Sequence, residues 1–577
     1  MALFLRLWKL QLLPIGISYV ELDYIINAKS IWLSGLDISH SWSPLSLKAL
    51  DSREILAELP SLLLSPFIGI AKLSLLNARL ANAWLHSLSV FLIYALSTKL
   101  FKDKKISLIA ALVYAINPWT LHFGRTAYEV SFGLISLLLF WLVLLSTKGW
   151  RILWSFPFIF LAFFTYHGFK FLVLPFALIT ILFTYLRQKK PRQIRPSLSL
   201  LIMTCALVGY FLVSFSGQSA MKRKGEIVFF NQKKAAESVN KSRRQTIPNQ
   251  LMTAMDNKVS FMARDFTQRY LAAFSVPYWF INGDVTGVGG HTLWAHGYFY
   301  YLDLVLAVIG FVVLFREKRK IWWLLTGLLL ISPLPSAVSS ASHSYVHRSS
   351  LMVPIIILFI AFGINWVFKS FRYQKWLVAI TAFIYLALLV NLAYLYTYQY
   401  PVYGAEGFFF SRRVLSEYLK RARKISDRPI YVFAQEPMAQ IEQYIFYTNT
   451  LTKQRSKEIA TIFKDKNYLI DGIKFDTDCP PAKALEENAL LIYENAICHQ
   501  GEDGLRIEDL VVDASEVKLT AIADLKDAGH VFKIYNDWLC QDVALGTYPI
   551  VSSLDEFEIA AMDDRSFCQN WIMEIAN

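Results

Sequence analysis

The feature that most constrains this chain is a series of apolar runs, most of them of the roughly 17–25 residues that a helix needs to cross a bilayer. They cover 3–19, 75–100, 106–123, 126–146, 152–166, 168–186, 196–215, 297–315, 321–338, 349–368 and 376–398. Their connections are of two alternating kinds. "KDKK", "KGWR", "RQKKPRQIR", "REKRK" and "KSFRYQK" are basic, whereas "LHFGRTA", "TYHGFK" and "SSASHSYVHR" carry one Lys or Arg each. Short cytoplasmic loops accumulate Lys and Arg. The alternation therefore predicts about eleven transmembrane helices with the N-terminus inside and the C-terminus outside. The first run holds Arg6 and Lys9 and lacks a small-residue cleavage site, so it reads as a retained span.

Composition agrees with an integral plasma-membrane protein surrounded by membrane lipids. Of 577 residues 55% are hydrophobic and only 18% charged, against about 25% in soluble domains. The 42 Phe and 29 Tyr suit aromatic belts at the two interfaces. The net charge of +14 fits cytoplasmic-loop Lys and Arg, and no nucleic-acid partner is expected.

This topology leaves three regions outside: a first loop at 21–74, a long loop at 217–296, and a tail. The expected fold class is mainly α, a polytopic domain over 1–400, with an extracytoplasmic α/β domain over 401–577. In the tail, "RPIYVFA", "NYLIDGIKF", "ALLIYEN" and "HVFKIYN" read as strands, and "SRRVLSEYLKRARK" and "PMAQIEQYIFYT" as helices. Cys205 lies in an apolar run, while Cys479, Cys498, Cys540 and Cys568 all fall in the tail. An even number in an exported domain predicts two disulfides; of the three pairings, nearest neighbours give Cys479–Cys498 and Cys540–Cys568.

Candidate chemistry gathers on the outer side. The first loop opens with Glu21 and Asp23 in "VELDYIINAKSIWL", a helix-like stretch expected to lie in the interface plane. Two residues apart on a helix, these acids point in different directions. One is then free to work while the other caps the helix or binds a partner. Arg125 and Glu129, four apart in "HFGRTAYEVSF", fit one helical face, either as an ion pair or as substrate contacts. "SHSYVHRSS" sets His343, His347 and Arg348 at the outer start of a span. The long loop supplies Lys222, Arg223, Lys224, Arg264 and Arg269, suited to a lipid phosphate. HExxH, phosphate-loop and CxxC signatures are absent, and the outer acids do not form a compact ligand set. Neither a metal nor another cofactor is expected.

The order of these elements resembles the GT-C superfamily of integral-membrane glycosyltransferases, in particular the protein O-mannosyltransferase and aminoarabinose transferase branch. The resemblance rests on the acidic start of the first loop with "NAKSIWLSGLD", on "LNARLANAWLHSLSVFLIYALSTKLF" and "LIAALVYAINPWTLHFGRTAYEVSF", and on "FSVPYWFINGD" and "LPSAVSSASHSYVHRSSLMVPIIILFIAFG". It implies transfer of a sugar from a polyprenyl-phosphate carrier to an acceptor (protein, lipid or glycan) on the extracytoplasmic face. The family's base is an Asp in an Asp-Glu pair opening that loop, and the pair falls here on Val20 and Glu21. Glu21 serves in its place, Asp23 has taken over, or the site is altered. The rival classes are a secondary transporter or flippase and a non-catalytic scaffold; a transporter predicts repeated halves, which the sequence lacks.

Overall fold

The computed structural model describes residues 1–53, 55–188, 194–214, 227, 232–284, 289–293, 296–339, 346–370, 374–477, 489–495 and 519–575. It is mainly α, a set of apolar helices followed by a smaller unit built on a seven-stranded sheet. The expected apolar runs appear as Leu75–Phe101, Val130–Ser146, Phe169–Gln188, Ile194–Ser214, Tyr301–Glu317, Met352–Ser370 and Gln374–Tyr394, among others. Among the described residues six helical stretches are long and apolar enough to cross a membrane, and three shorter apolar helices accompany them. The chain is an integral membrane protein.

Some runs break for local reasons. The run at 106–123 divides into Lys104–Ile116 and Pro118–Phe123. Pro118 lacks the N–H that would continue the first helix, and Asn117 accepts the Thr120 N–H at 3.2 Å to cap the second. Met352–Ser370 is buried on every side from Met352 to Asn365, as a helix apolar all round requires. It crosses Tyr301–Glu317 with the backbones touching. A Cβ on Gly310 would stand 1.8 Å from the Phe359 oxygen, and one on Gly363 2.1 Å from the Leu306 oxygen. Only glycine fits there.

Four of the five basic connections meet at one end of this bundle. Lys318 Nζ donates to the Phe101 carbonyl at 2.7 Å, Arg187 to that of Lys99 at 3.1 Å, and Lys369 lies 3.5 Å from Asp103.

The first apolar run differs from its expectation. In place of a span over 3–19, only Ala2–Leu7 is helical, and the chain then turns back through buried Leu10, Leu13, Ile15 and Ile17. Backbone outside a helix needs other partners, and distant side chains provide them. Arg125 donates to the carbonyls of Leu5, Arg6 and Leu13, Arg79 to those of Pro14 and Gly16, Arg413 to Ile15, and Gln443 to Ile17. Irregular backbone is tolerated where protein buries it and satisfies its polar groups in this way.

The tail sheet runs in the order Leu469–Ile470, Ile473–Asp476, Ile430–Phe433, Leu490–Glu494, His530–Tyr535, Thr520–Ala523, Met573–Glu574. Ile430–Phe433 is parallel to both neighbours and the other pairs are antiparallel. Helices Phe410–Ile425 and Pro437–Thr448 pack on one another beside it. A disulfide joins Cys540 and Cys568, Cα atoms 5.6 Å apart, while Cys479 and Cys498 lie outside the described residues. Apolar residues from Leu12 to Ala81 and from Ala405 to Ile572 form one continuous buried cluster. The tail and the first loop therefore share a core.

Candidate functional site

The helix Tyr19–Ser34 lies at the meeting of bundle and tail. Ser18 caps it: its hydroxyl accepts the Glu21 N–H, and the Glu21 carboxylate accepts the Ser18 N–H at 2.9 Å, a reciprocal box that fixes the helix start. Every residue from Glu21 to Ile31 is buried. It therefore does not lie on an interface with one face down. Two further helices, Pro60–Gly69 on one side and Pro437–Thr448 on the other, cover it.

Glu21 and Asp23 diverge, as their spacing predicts. Glu21 faces the bundle. Besides its bond to Ser18, it accepts the Ala127 N–H at 2.6 Å, which pins the linker between Pro118–Phe123 and Val130–Ser146. Its charge reaches Tyr128, Tyr396, Tyr400 and Tyr447. Asp23 faces the tail. Arg53 donates to it at 3.2 Å and to Glu436 at 3.2 Å while lying 3.9 Å over the Tyr19 ring. The Glu442 carboxyl stands beside Asp23, and both are completely buried. Burial pushes both carboxyls up, and the charge of Asp23 pushes Glu442 further; Arg53 opposes the rise.

Arg125 does not share a helical face with Glu129, because 124–129 is a non-helical linker. It sits instead on the wall of an apolar groove of about 250 Å³ formed by Phe4, Trp8, Leu121, Leu293, Leu389 and Tyr396. Its guanidinium is 5.4 Å from the Tyr396 ring. The Nε groups of Arg125 and Arg79 have no hydrogen-bond partner among the described residues. Next to this groove is a packed cluster of polar rings. The His291 ring stacks on His347 at 4.4 Å and meets Tyr128 at 4.3 Å, and Tyr166 lies 6.0 Å from His347. The charges of Glu129 and Arg348 both reach Tyr166, and those of Glu21 and Glu129 both reach Tyr128. Tyr128 is thus the link between Glu21 and the histidines.

The structure therefore brings together Glu21, Arg125, Glu129, His347 and Arg348. It leaves Arg264 and Arg269 apart: Arg264 is exposed and paired with Asp256, and Arg269 is buried against Asp265 and the Ser339 carbonyl. Lys222, Arg223, Lys224 and His343 lie outside the described residues. Sequence reasoning missed Arg79, His122, Tyr128 and His291. Arg79 had a signal, a charge within an apolar run. His122 accompanies it, 2.6 Å from the Gly290 oxygen and 3.4 Å from the Tyr396 hydroxyl. Among the described residues no three His, Cys, Asp or Glu converge as a metal set.

Neither a protein-family model nor a curated protein matches the chain. Solved structures of similar architecture include ArnT from Cupriavidus metallidurans bound to undecaprenyl phosphate, at 12% identity and a TM-score of 0.48, covering 93% of this chain and 97% of that one. The apo oligosaccharyltransferase of Archaeoglobus fulgidus is similar at 12% identity and a TM-score of 0.42. That match covers 77% of this chain, which spans only 62% of the oligosaccharyltransferase. The likeness is one of architecture alone.

Proposed function

We propose that the protein is a membrane glycosyltransferase that moves a sugar from a polyprenyl-phosphate carrier to an acceptor hydroxyl or amine. The observation that carries this reading is the apolar groove with Arg125 on its wall. A ligand that is greasy along its length and anionic at one end suits such a place. Arg125 places a guanidinium charge on that wall for the phosphate, and Arg79, whose charge reaches Arg125, adds to it.

In the proposed reaction the acceptor attacks the anomeric carbon from the face opposite the phosphate, and the bond between that carbon and the phosphate oxygen breaks. Glu21 takes the acceptor's proton. The phosphate leaves as an anion, and Arg125 and Arg79 offset its charge without a proton donor. A carboxylate oxygen has two lone pairs, so Glu21 keeps one free on each oxygen after receiving the Ser18 and Ala127 N–H groups. Those bonds orient it. Glu129, His347 and Arg348 are proposed to contact the sugar.

The test is consumption of labelled donor by the full chain in proteoliposomes, with water as the stand-in acceptor. Turnover is expected to fall about 100-fold or more in Glu21→Gln and to persist in Asp23→Asn. Loss only in Asp23→Asn would transfer the base to the tail-facing carboxyl. A second reading, a scaffold, is favoured by the engagement of both Glu21 oxygens with backbone. It gains if the wild type binds polyprenyl phosphate and consumes no donor.

A further inference from the structure

Outside the site, the least explained surface belongs to a helical hairpin formed by Gln232–Arg244 and Lys258–Ala272. The helices meet through a very small core, Ala235 and Met262 with Phe261 packed against them. At the tip the chain exposes Ile247 (86%), Leu251 (65%), Met255 (62%) and Val259 (77%). Four large apolar side chains this open within thirteen residues is not a face that water leaves unoccupied. Charge surrounds them. Lys241, Arg244, Lys258 and Arg264 are exposed, whereas Asp256 is bound by Arg264, the Ser242 hydroxyl and, through its carbonyl, Arg243.

The position of the hairpin selects the occupant. The Lys258–Ala272 helix is fixed by the Tyr270 hydroxyl to the Leu330 carbonyl at 2.8 Å, and by Arg269 to that of Ser339 at 3.0 Å. Leu330 is itself half exposed, on the membrane-length stretch Arg319–Val338. Because that stretch leaves the basic end of the bundle at 316–320, its far end lies at the other membrane surface. An apolar tip ringed by cations, on a helix whose other end is fixed near that surface, matches a leaflet of anionic headgroups over acyl chains. A soluble acidic partner would match the cations and leave the four apolar side chains in water.

We propose that residues 245–259 form a membrane-surface anchor that takes anionic phospholipid, with Ile247, Leu251, Met255 and Val259 between the chains and Lys241, Arg244 and Lys258 on the headgroups. The anchor holds one end of the helix that leads to His291 and Leu293, so the leaflet steadies a wall of the site. This inference stands on the hairpin's own surface and does not depend on the reaction.

Hydrogen exchange of peptides spanning 245–260 tests it, using the full chain in nanodiscs of phosphatidylcholine alone or mixed with phosphatidylglycerol. Exchange is expected to slow about tenfold in the anionic discs. The protection should fade at high salt and be lost in both Leu251→Asp/Met255→Asp and Lys241→Glu/Arg244→Glu. Equal exchange in the two kinds of disc overturns the proposal. So does protection by soluble glycerol phosphate in zwitterionic discs, which would mark a free-anion site. Turnover is not read, so failure here leaves the glycosyltransferase reading where it stood.

Discussion

Glu21 and Asp23 stand two residues apart on one helix, equally buried, and live in opposite surroundings. Glu21 is held by two backbone N–H groups and looks into the bundle. Asp23 is held by one guanidinium and shares its space with a second acid, Glu442 of the tail. A carboxylate that receives two amides is fixed in position. A carboxyl pressed against another is a proton store and a clasp between two parts of the chain. The difference teaches that side-chain type says little about role until the facing element is known.

The largest test of this contrast is turnover: about 100-fold or more should be lost in Glu21→Gln and almost nothing in Asp23→Asn, measured as donor consumption. Next is Arg53→Ala, which leaves Asp23 and Glu442 buried without their cation. Removing one partner of a buried pair costs about 3 kcal/mol. Limited proteolysis of the tail should report it as faster cleavage, and Glu442→Gln should restore protection in the same background.

A smaller effect is the pH dependence of the clasp. Burial raises both carboxyls, so the folded protein holds a proton that the unfolded chain gives up near the ordinary carboxylate range. Stability is then full below that range and declines as pH rises through the raised folded values. Glu406, pushed up to about 7 by burial, acts in the same direction from its ordinary value to about 7. Thermal midpoints should fall from pH 5 to pH 8 in the wild type. The slope should be shallower in Glu442→Gln and shallower still with Glu406→Gln added. The smallest effect belongs to Glu436→Ala. Glu436 is half exposed, so losing its bond to Arg53 should change the midpoint by no more than the equivalent of about 0.5 kcal/mol.

Much of the architecture was legible because run length and loop charge are local properties. The ends of Leu75–Phe101 and Phe169–Gln188 follow from where apolar residues stop, and Ile430–Phe433, Leu490–Glu494 and His530–Tyr535 follow from short apolar runs between turn residues, whereas Thr520–Ala523 and Met573–Glu574 are strands the sequence reading did not name. The first run misled because its length matched a span. Nothing near it in the sequence announces that Arg79, Arg125 and Arg413 satisfy its carbonyls. The spacing of Glu21 and Asp23 predicted that they diverge. It could not predict Glu442, which arrives from a distant helix through tertiary packing. Arg125 and Glu129 were expected on one helical face, a pattern that holds only if the intervening residues are helical, and Gly124 to Glu129 are not.

The turned-back N-terminal segment has a consequence for biosynthesis. Residues 8–18 are made before the groups that complete their hydrogen bonding, which belong to residues 79, 125, 413 and 443. Residues 8–18 must wait in a provisional state until residue 443 has been translated. A ribosome stalled before residue 443 has cleared the exit tunnel should therefore carry residues 8–18 still open to crosslinking by the insertion machinery, and one stalled after that point should not.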